Sequence, residues 1–430
     1  MARIRPFAAW RYQSTQTDIS SLSAPPYDVI SEKAREELLA RDPHNVVALE
    51  LPAGSTDPSD PSNRYDAGKR LWDDWRESGV LVRDTIPAVY VLEQRYMSGL
   101  SPVRRRAFIV EVGLEPFSAG VVLPHERTLP KALGDRFNLT VATGANLSQV
   151  FGLFDDPACL TDAFFEAAMT TSPVATAVDA DGVESILWAA DSPDLAQALS
   201  GFMSDRKIFI ADGHHRYTTA LAYRDLRRER AADATPLNPE YDFVQMALVN
   251  MDDPDLVVLP THRVADAAGE FDPQYFISSL STHFEVSELP SGQFSDVVGS
   301  LDAPAFIFTT RGHGTPLLAR VRSDVDLDSV MPSGRSAAWK SLDVAVLQEL
   351  VLNPLLDIHP DRPETLERLR FVKDASEALS STPEHDVAFV LRPTRMEQLR
   401  AVALAGETMP QKSTYFYPKL LSGLVFRSAE

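Results

Sequence analysis

Short apolar runs alternate with amphipathic stretches along the chain, and this alternation predicts mixed strands and helices. Apolar runs of strand length occur at 88–92, 107–112, 184–189 and 243–250. Ser31 precedes a helical stretch that reaches about residue 42, and a second stretch near 64–78 has an aromatic stripe and stops at Gly79. The pattern predicts an α/β (α+β) protein.

The length of 430 residues exceeds one ordinary hydrophobic core, so we expect several lobes. Changes in pattern predict an N-terminal helical lobe over 1–85, a central domain over 86–264 and a C-terminal α/β lobe over 265–430. Arg105 enters the second strand of a predicted hairpin, between two further arginines. Alternation places Arg105 on the face opposite its neighbours, and we interpret the three as a solvated sheet edge.

Composition limits the function classes. The formal charge of −20 argues against nucleic acid as a partner, because a duplex binder needs net attraction to phosphate. Cys159 is the single cysteine, which excludes an internal disulfide and fits a reducing cytoplasm, and we expect it to be buried. No segment approaches the roughly 20 apolar residues of a membrane span, so we expect a cytoplasmic protein with no membrane partner.

The main candidate site lies where an apolar run at 207–211 is followed by Asp-Gly-His-His-Arg at 212–216 and a long helical stretch. A strand, a glycine turn and a helix form a geometry that binds anions, because the first N–H groups of the helix have no partner within it. The candidate phosphate ligands are Gly213, His214, His215 and Arg216. Asp212 is a carboxylate at the edge of this phosphate pocket, which suggests that it is catalytic or that it is a ligand of a metal ion such as Mg²⁺. An ordinary solvated turn is the alternative.

Further candidates lie in loops. His125 and Glu126 stand between two prolines, so both can point into a cleft, with Glu126 as a general base or as a surface residue with no role. Asn146 follows a glycine turn and suits a phosphate or metal contact, or a capping or turn role. His262 and Arg263 come directly after an apolar run, at the kind of strand exit where open α/β sheets bind ligands.

Tyr27 and Asp28 follow two prolines in a stiff loop of the kind that can present one of these two side chains to a pocket, and a plain connector is the alternative. The aromatic tail at 412–426 has three possible uses. It can dock on its own core, cover the active cleft, or pair with another subunit as a homodimer.

Four motifs carry a family resemblance. The segments 23–30, 211–217, 259–263 and 412–423 together resemble a widespread prokaryotic family labelled only as a domain of unknown function, number ten-fifteen. The resemblance extends over nearly the whole chain.

A more distant resemblance implies a chemistry. The order of His125-Glu126, Arg136 and the 212–216 motif after a strand is similar to the ParB-like free serine kinases. This resemblance implies a central ParB/sulfiredoxin-like mixed sheet and a nucleotide (ATP, ADP or CTP), with Mg²⁺. It also implies Glu126 as the base with His125 beside it, Asp212 as a catalytic carboxylate, and Arg136 among the nucleotide-binding residues.

These observations favour a nucleotide-dependent phosphotransferase for a small hydroxylated metabolite, with free L-serine as the first candidate. Two alternatives remain. The family resemblance also implies serine biosynthesis, so the same pocket can hydrolyse phosphoserine. The third possibility is a regulatory switch that binds CTP or ATP without turnover.

Overall fold

The computed structural model describes residues 2–13, 17–126, 130–231, 238–289, 301–382 and 384–430, with the side chains of 130–132 left out. The chain divides into two compact units. Unit 1 comprises Met1–Pro124, Thr128–Val257 and Pro418–Glu430, and unit 2 comprises His125–Arg127 and Val258–Tyr417. The finer division into three lobes stays a prediction.

Unit 1 is built on a mixed sheet. Its strands before residue 257 are β1 (Ile4–Arg5), β2 (Trp10–Tyr12), β3 (Leu81–Arg83), β4 (Val89–Ser98), β5 (Ser101–Gly113), β6 (Val122–Leu123), β7 (Ala145–Asn146), β8 (Val150–Phe154), β9 (Ala175–Val178), β10 (Glu184–Ala190), β11 (Ile208–Asp212) and β12 (Phe243–Asn250). Within the described residues, the main sheet has the order β6-β11-β8-β12-β5-β4-β10-β9, and β1 pairs with β5. The pairs β6–β11 and β8–β12 are parallel, and the other pairs are antiparallel.

The helices of unit 1 follow the predicted amphipathic stretches. They span Glu32–Arg41, Val47–Glu50, Arg64–Glu77, Pro130–Thr143, Asp162–Ala168, Pro193–Met203 and His214–Ala231, with 3-10 turns at Tyr27–Val29, Phe117–Ala119 and Glu240–Asp242. The Ser31 hydroxyl accepts a hydrogen bond from the Ala34 N–H at 3.2 Å, which confirms Ser31 as the predicted helix cap.

The two faces of the main sheet differ in polarity because side chains alternate along each strand. Phe108, Val110 and Val112 of β5 belong to an apolar core that also contains Leu199 and Tyr217 from two helices. The opposite face has buried polar side chains on several strands. This polar face is where the C-terminal segment of unit 1 lies, as described below.

Unit 2 has its own antiparallel sheet. The remaining strands are β13 (Val257–Leu259), β14 (His262–Ala265), β15 (Phe284–Glu288), β16 (Ala305–Thr310), β17 (His313–Val321), β18 (Leu369–Val372), β19 (Val387–Val390), β20 (Tyr415–Tyr417) and, back in unit 1, β21 (Arg427–Ser428). The order in the described part of this sheet is β15-β17-β16-β19-β14-β18. Its helices span Pro273–Leu280, Leu327–Val330, Ala337–Lys340, Asp343–Leu347, Asn353–Leu356, Pro363–Leu366, Ala375–Ser380 and Met396–Leu404, with a π-helical turn at Gln348–Leu352.

The predicted α/β class is confirmed as a mixed α/β fold with one large mixed sheet and additional smaller sheets. The name ParB/sulfiredoxin-like stays a prediction. In the described part of the chain, no helix is both long and apolar enough to cross a bilayer.

Three local predictions were wrong. Arg105 is not at a solvated edge, because β5 lies between β4 and β12 and buries the side chain to 1% exposure. Cys159 is exposed, since it stands in a turn where its N–H donates to the Asp156 carbonyl. His262 and Arg263 come after the end of β13 at Leu259, as predicted, but they do not lie in a loop at its exit. Pro260 only interrupts the extended chain, and both residues belong to β14.

Candidate active site

The predicted strand, turn and helix are confirmed at the end of β11. Gly213 follows Asp212 with φ of +89°, and the helix His214–Ala231 begins at the next residue. The pairing of β11 with β8 shifts register between Ile210 and Asp212, so that Asp212 lies opposite Phe151. Such bulges redirect side chains next to functional sites. The positive φ favours glycine here, and a Cβ built on Gly213 would lie 2.9 Å from Nε of Arg216, so any larger residue would displace the guanidinium.

Asp212 is held by positive charge. Its Oδ2 lies 2.6 Å from Nζ of Lys419, and its Oδ1 accepts the Gly213 N–H at 2.6 Å and lies 3.6 Å from Nη2 of Arg216. Burial alone would raise the pKa of Asp212, but Lys419, Arg216 and His214 outweigh it and hold this pKa well below its usual range. Asp212 is therefore a carboxylate at neutral pH.

Arg105 brings a further positive charge to the same region. Its Nη2 donates to the Pro418 carbonyl at 2.6 Å and to the Gln94 side chain, and its guanidinium lies 4.8 Å over the Phe151 ring. Burial lowers the pKa of Arg105 to about 10, opposed by Tyr96 and Asp212, so the side chain stays charged at neutral pH. Its Nε and Nη1 are buried and have no hydrogen-bond partner among the described residues.

Lys419 reaches Asp212 because the C-terminal segment is fixed on the polar face of the sheet. Three glutamines donate side-chain hydrogen bonds to its carbonyls: Gln94 to Lys419 at 3.1 Å, Gln149 to Leu421 at 2.9 Å and Gln245 to Val425 at 3.1 Å. These bonds satisfy buried amides that the sheet would otherwise leave unpaired. Of the three predicted uses of the tail, residues 418–425 therefore dock on the core of unit 1.

Neither Lys419 nor Arg105 was identified as a site residue from the sequence. Lys419 lies within the 412–423 motif, which was the available signal. For Arg105 the signal was an arginine at an inward position of an apolar strand, since a buried charge needs partners or a ligand.

A cavity lies beside this group, with Arg216 in its lining. It is lined by Tyr27, Glu50, Arg136, Leu139, Thr140, Thr143, Ala145, Asn146, Leu147, Ser148, Arg216, Thr219, Ala220 and Val244. The Tyr27 ring covers Arg136 at 4.3 Å, and Nη1 of Arg136 donates to the Glu50 carbonyl at 2.8 Å. Burial raises the pKa of Tyr27 to about 12, so the phenol is neutral. Four residues that the sequence singled out, Tyr27, Arg136, Asn146 and Arg216, thus line one cavity.

The two histidines of the turn occupy the first turn of the helix. His214 is buried and His215 is half-buried. Asn146 accepts hydrogen bonds at Oδ1 from the Gln245 N–H and from Arg427, both at 3.2 Å. Its described contacts are therefore structural, and a ligand contact of Asn146 stays a prediction.

His125 and Glu126 belong to unit 2, in a loop as predicted. Oε1 of Glu126 accepts the Ser413 N–H at 3.0 Å and lies 3.7 Å from Nε2 of His125. The same His125 nitrogen lies 2.9 Å from Oγ1 of Thr414. The pair thereby holds the chain at 413–414, and a role of Glu126 as a base stays a prediction.

His262 and Arg263 also belong to unit 2, where their described hydrogen bonds go to main-chain groups. Nδ1 of His262 accepts the Leu391 N–H at 3.2 Å, and Arg263 donates to the carbonyls of Thr261, Gln411 and Lys412. Burial, assisted by Arg263 and opposed by Asp374, lowers the pKa of His262 to about 4. These contacts explain both residues structurally, and nucleotide binding by them stays a prediction.

Metal binding was predicted at Asp212. Within the ranges that the structure describes, no group of three or more His, Cys, Asp or Glu side chains is placed to hold a metal ion. Lys419 and Gly213 already engage both oxygens of Asp212. This donor set is not a Mg²⁺ site as it stands, because Mg²⁺ needs free oxygen ligands. Mg²⁺ stays a prediction, and no step below depends on it.

The fold and the site together define a mixed α/β protein with a cationic cluster at a strand–glycine–helix turn. The chain belongs to the family described as protein of unknown function (DUF1015), whose pattern matches residues 4–345. No curated protein matches the chain.

Several solved structures are similar to this chain at low identity. A conserved hypothetical protein from Pyrococcus furiosus is 14% identical with a TM-score of 0.33, over 73% of this chain and 92% of that one. A glutamate-to-alanine mutant of a free serine kinase in complex with ADP is 11% identical with a TM-score of 0.36, over 72% and 87%. SbnI from Staphylococcus aureus, with a C-terminal truncation, is 11% identical with a TM-score of 0.35, over 74% and 86%.

Proposed function

We propose that this protein is a nucleotide-dependent phosphotransferase that acts on a small hydroxylated metabolite, with free L-serine as the first candidate acceptor. The observation that carries the proposal is the charge at the turn. Arg216 and Lys419 pair with the carboxylate of Asp212, and Arg105 adds a third positive charge with two buried nitrogen atoms that have no described partner. An anionic ligand would compensate the excess positive charge, as the phosphates of a nucleotide do in known phosphotransferases.

The helix His214–Ala231 supports the same assignment. Its first N–H groups and the positive end of its dipole lie next to Gly213, where the guanidinium of Arg216 also approaches the backbone. Cations that are already in place need little reorganisation when charge moves onto the transferred phosphoryl group. The choice of a nucleotide as the phosphate source comes from the resemblance of the 212–216 motif to free serine kinases.

In the proposed reaction the acceptor hydroxyl oxygen forms a bond to the terminal phosphorus of the nucleotide, and the bond to the bridging oxygen breaks. The leaving group is the shortened nucleotide, and the hydroxyl proton goes to a carboxylate. Because its pKa is low, Asp212 is better suited to orient the hydroxyl than to remove its proton. Glu126 stays the predicted proton acceptor.

Phosphorus NMR tests the proposal. The protein is incubated with Mg²⁺, L-serine and ATP, ADP or CTP in turn, and separately with phosphoserine alone. We expect a new phosphomonoester signal in one of the serine samples. Free phosphate from phosphoserine alone would establish the hydrolase instead, and no change in any sample would favour a binding switch without turnover.

Two variants connect the reaction to the site. Asp212→Asn should lower turnover by about 100-fold or more while nucleotide still binds, because Arg105, Arg216 and Lys419 remain. Asp225→Asn is the matched control, since Asp225 is an exposed carboxylate on the same helix that pairs with Arg224. Equal turnover in the two variants would remove Asp212 from the mechanism.

Glu126→Gln tests the predicted base. The amide oxygen of glutamine can still accept the Ser413 N–H, so we expect unit 2 to stay folded. If Glu126 takes the proton, turnover falls in this variant while nucleotide binding is unchanged. Full turnover in a folded Glu126→Gln protein would exclude the role.

A further inference from the structure

The cavity beside Arg216 is small. It has room for about three water molecules. A nucleotide does not fit such a space, whereas a ligand with a handful of non-hydrogen atoms does. Its lining joins the helix His214–Ala231 to the helix Pro130–Thr143 and to Tyr27, all within unit 1.

Two buried hydrogen-bonding atoms that belong to residues of the lining have no partner among the described residues. They are Nε of Arg216 and the hydroxyl of Thr219, whose residue is only 4% exposed. The residues are three positions apart on one helix, so their side chains share a face. A buried donor without an acceptor costs about 1–3 kcal/mol, and a ligand oxygen in this cavity would remove that cost.

The rest of the lining does not supply the missing acceptor. Glu50 is the carboxylate in the lining, but its Oε2 lies 3.6 Å from Nη1 of Arg136 and its Oε1 accepts the Ser422 hydroxyl at 3.2 Å. Thr143 also lines the cavity, but its hydroxyl donates to the Leu139 carbonyl at 2.8 Å. Nε of Arg216 therefore has no acceptor among the described residues, and a negatively charged ligand can supply one.

We propose that this cavity binds the carboxylate of the acceptor substrate through Arg216 and Thr219. The inference rests on the proposed function, and it narrows the acceptor to hydroxylated carboxylic acids, among them hydroxyamino acids. Nη2 of the same Arg216 lies 3.6 Å from Asp212, so a carboxylate held at Nε keeps the acceptor next to the carboxylate that orients its hydroxyl.

Calorimetric titration without nucleotide tests the inference. The probes are L-serine and D-glycerate, which have a carboxylate, and ethanolamine and glycerol, which have a hydroxyl group only. We expect the first two to bind and the last two not to bind. Binding of glycerol or ethanolamine as tight as that of L-serine would overturn the inference.

Thr219→Val and Thr218→Val form a matched pair. Thr218 is the preceding residue and also has a buried hydroxyl without a described partner, but it is not among the residues that line the cavity. Replacing such a hydroxyl by a methyl group is close to neutral for folding, so both variants should fold. We expect Thr219→Val to weaken L-serine binding by about tenfold or more and Thr218→Val to leave it unchanged.

The outcomes separate this inference from the proposed function. Equal L-serine binding in the two variants would overturn the carboxylate site. A second contrary outcome is that the carboxylates do not bind, while inorganic phosphate binds to the wild-type protein and not to Thr219→Val. This result would also overturn the carboxylate site and would make the cavity a phosphate subsite. Carboxylate binding that is lost in Thr219→Val, together with no phosphate transfer by NMR, would count against the proposed function alone.

Discussion

Nζ of Lys419 lies 2.6 Å from Oδ2 of Asp212, although the two residues are 207 positions apart in the sequence. Asp212 ends β11, and Lys419 lies on the segment that Gln94, Gln149 and Gln245 fix to the polar face of the sheet. Together with Arg216 and His214, the lysine keeps the largely buried carboxylate ionised. In the proposed reaction it also lies beside the transferred phosphoryl group.

Lys419→Met should destabilise unit 1 and remove activity. The change removes the partner closest to a largely buried carboxylate, so we expect the free energy of unfolding to fall by about 2 kcal/mol or more. The measurement is urea unfolding, followed by ADP titration of the folded protein. ADP binding should weaken because one cation of the cluster is lost.

Lys69→Met is the control for that variant. Lys69 lies 2.7 Å from Asp73 in an exposed pair, so its loss should cost less than about 1 kcal/mol. If the two variants lost the same stability and bound ADP equally, the Lys419–Asp212 pair would have no special role. The double variant Asp212→Asn, Lys419→Met should recover part of the stability, since no buried charge of the pair is left.

Arg105→Met separates ligand binding from folding. Methionine has a similar length and no charge, so relief of the cost of burying a guanidinium should offset the lost hydrogen bonds to Gln94 and Pro418. We expect little change in the free energy of unfolding and a loss of about tenfold or more in affinity for ADP. Arg104→Met, at the exposed preceding position on the same strand, should change neither quantity. A large loss of stability with unchanged ADP affinity would show that Arg105 only holds the C-terminal segment.

Gly213→Ala tests the turn. The turn holds residue 213 at a positive φ that alanine adopts at a cost, so we expect a loss of about 1–2 kcal/mol in the free energy of unfolding. The added Cβ also displaces Arg216, so we expect weaker ADP binding. Gly182→Ala is the control, because Gly182 has φ of +77° with nothing within 4 Å of the added Cβ. The two variants should be destabilised alike by φ, and only Gly213→Ala should weaken ADP binding. Equal ADP binding in both would contradict the proposed phosphate site.

His262 predicts an acid sensitivity of unit 2. Its pKa falls from an ordinary 6.5 to about 4 on folding, so the folded state binds fewer protons than the unfolded state in this range. The contribution of the neutral imidazole is complete above about pH 6.5 and is lost as the pH falls toward 4. Urea midpoints between pH 7 and 4 should therefore drop less in His262→Asn, which keeps an acceptor for the Leu391 N–H. His283→Asn, at a half-buried position in the same unit, should follow the wild type. A drop as steep in His262→Asn as in the wild type would contradict the assignment.

Local signals predicted the turn well. Strand β11, the positive φ of Gly213 and the start of the helix all follow from a short apolar run, a glycine and a run of helix formers within about 20 residues of one another. The cap at Ser31 and the helix Arg64–Glu77 were predicted for the same reason. Each depends on interactions between near neighbours in the chain.

The environment of the site depends on distant residues. Alternation along the strand correctly predicted the face of the sheet on which Arg105 lies. Whether β5 is an edge strand or an interior strand depends on β12, which is more than 130 residues away in the sequence. Tyr27, Glu50 and Arg136 line a cavity with Arg216 only because separate elements pack on one side of the helix. No local pattern contains that information.

The sequence by itself determined the α/β class, most strands and helices, and the strand–glycine–helix turn at 212–216, because periodicity and turn chemistry act over short distances. Only the tertiary structure decided that Lys419 and Arg105 join this turn and that Thr219 faces a small cavity. The physical reason is that burial and the compensation of charge depend on which segments meet after folding. The packing of the whole sheet determines which segments are in contact, and the residues on either side of the motif do not.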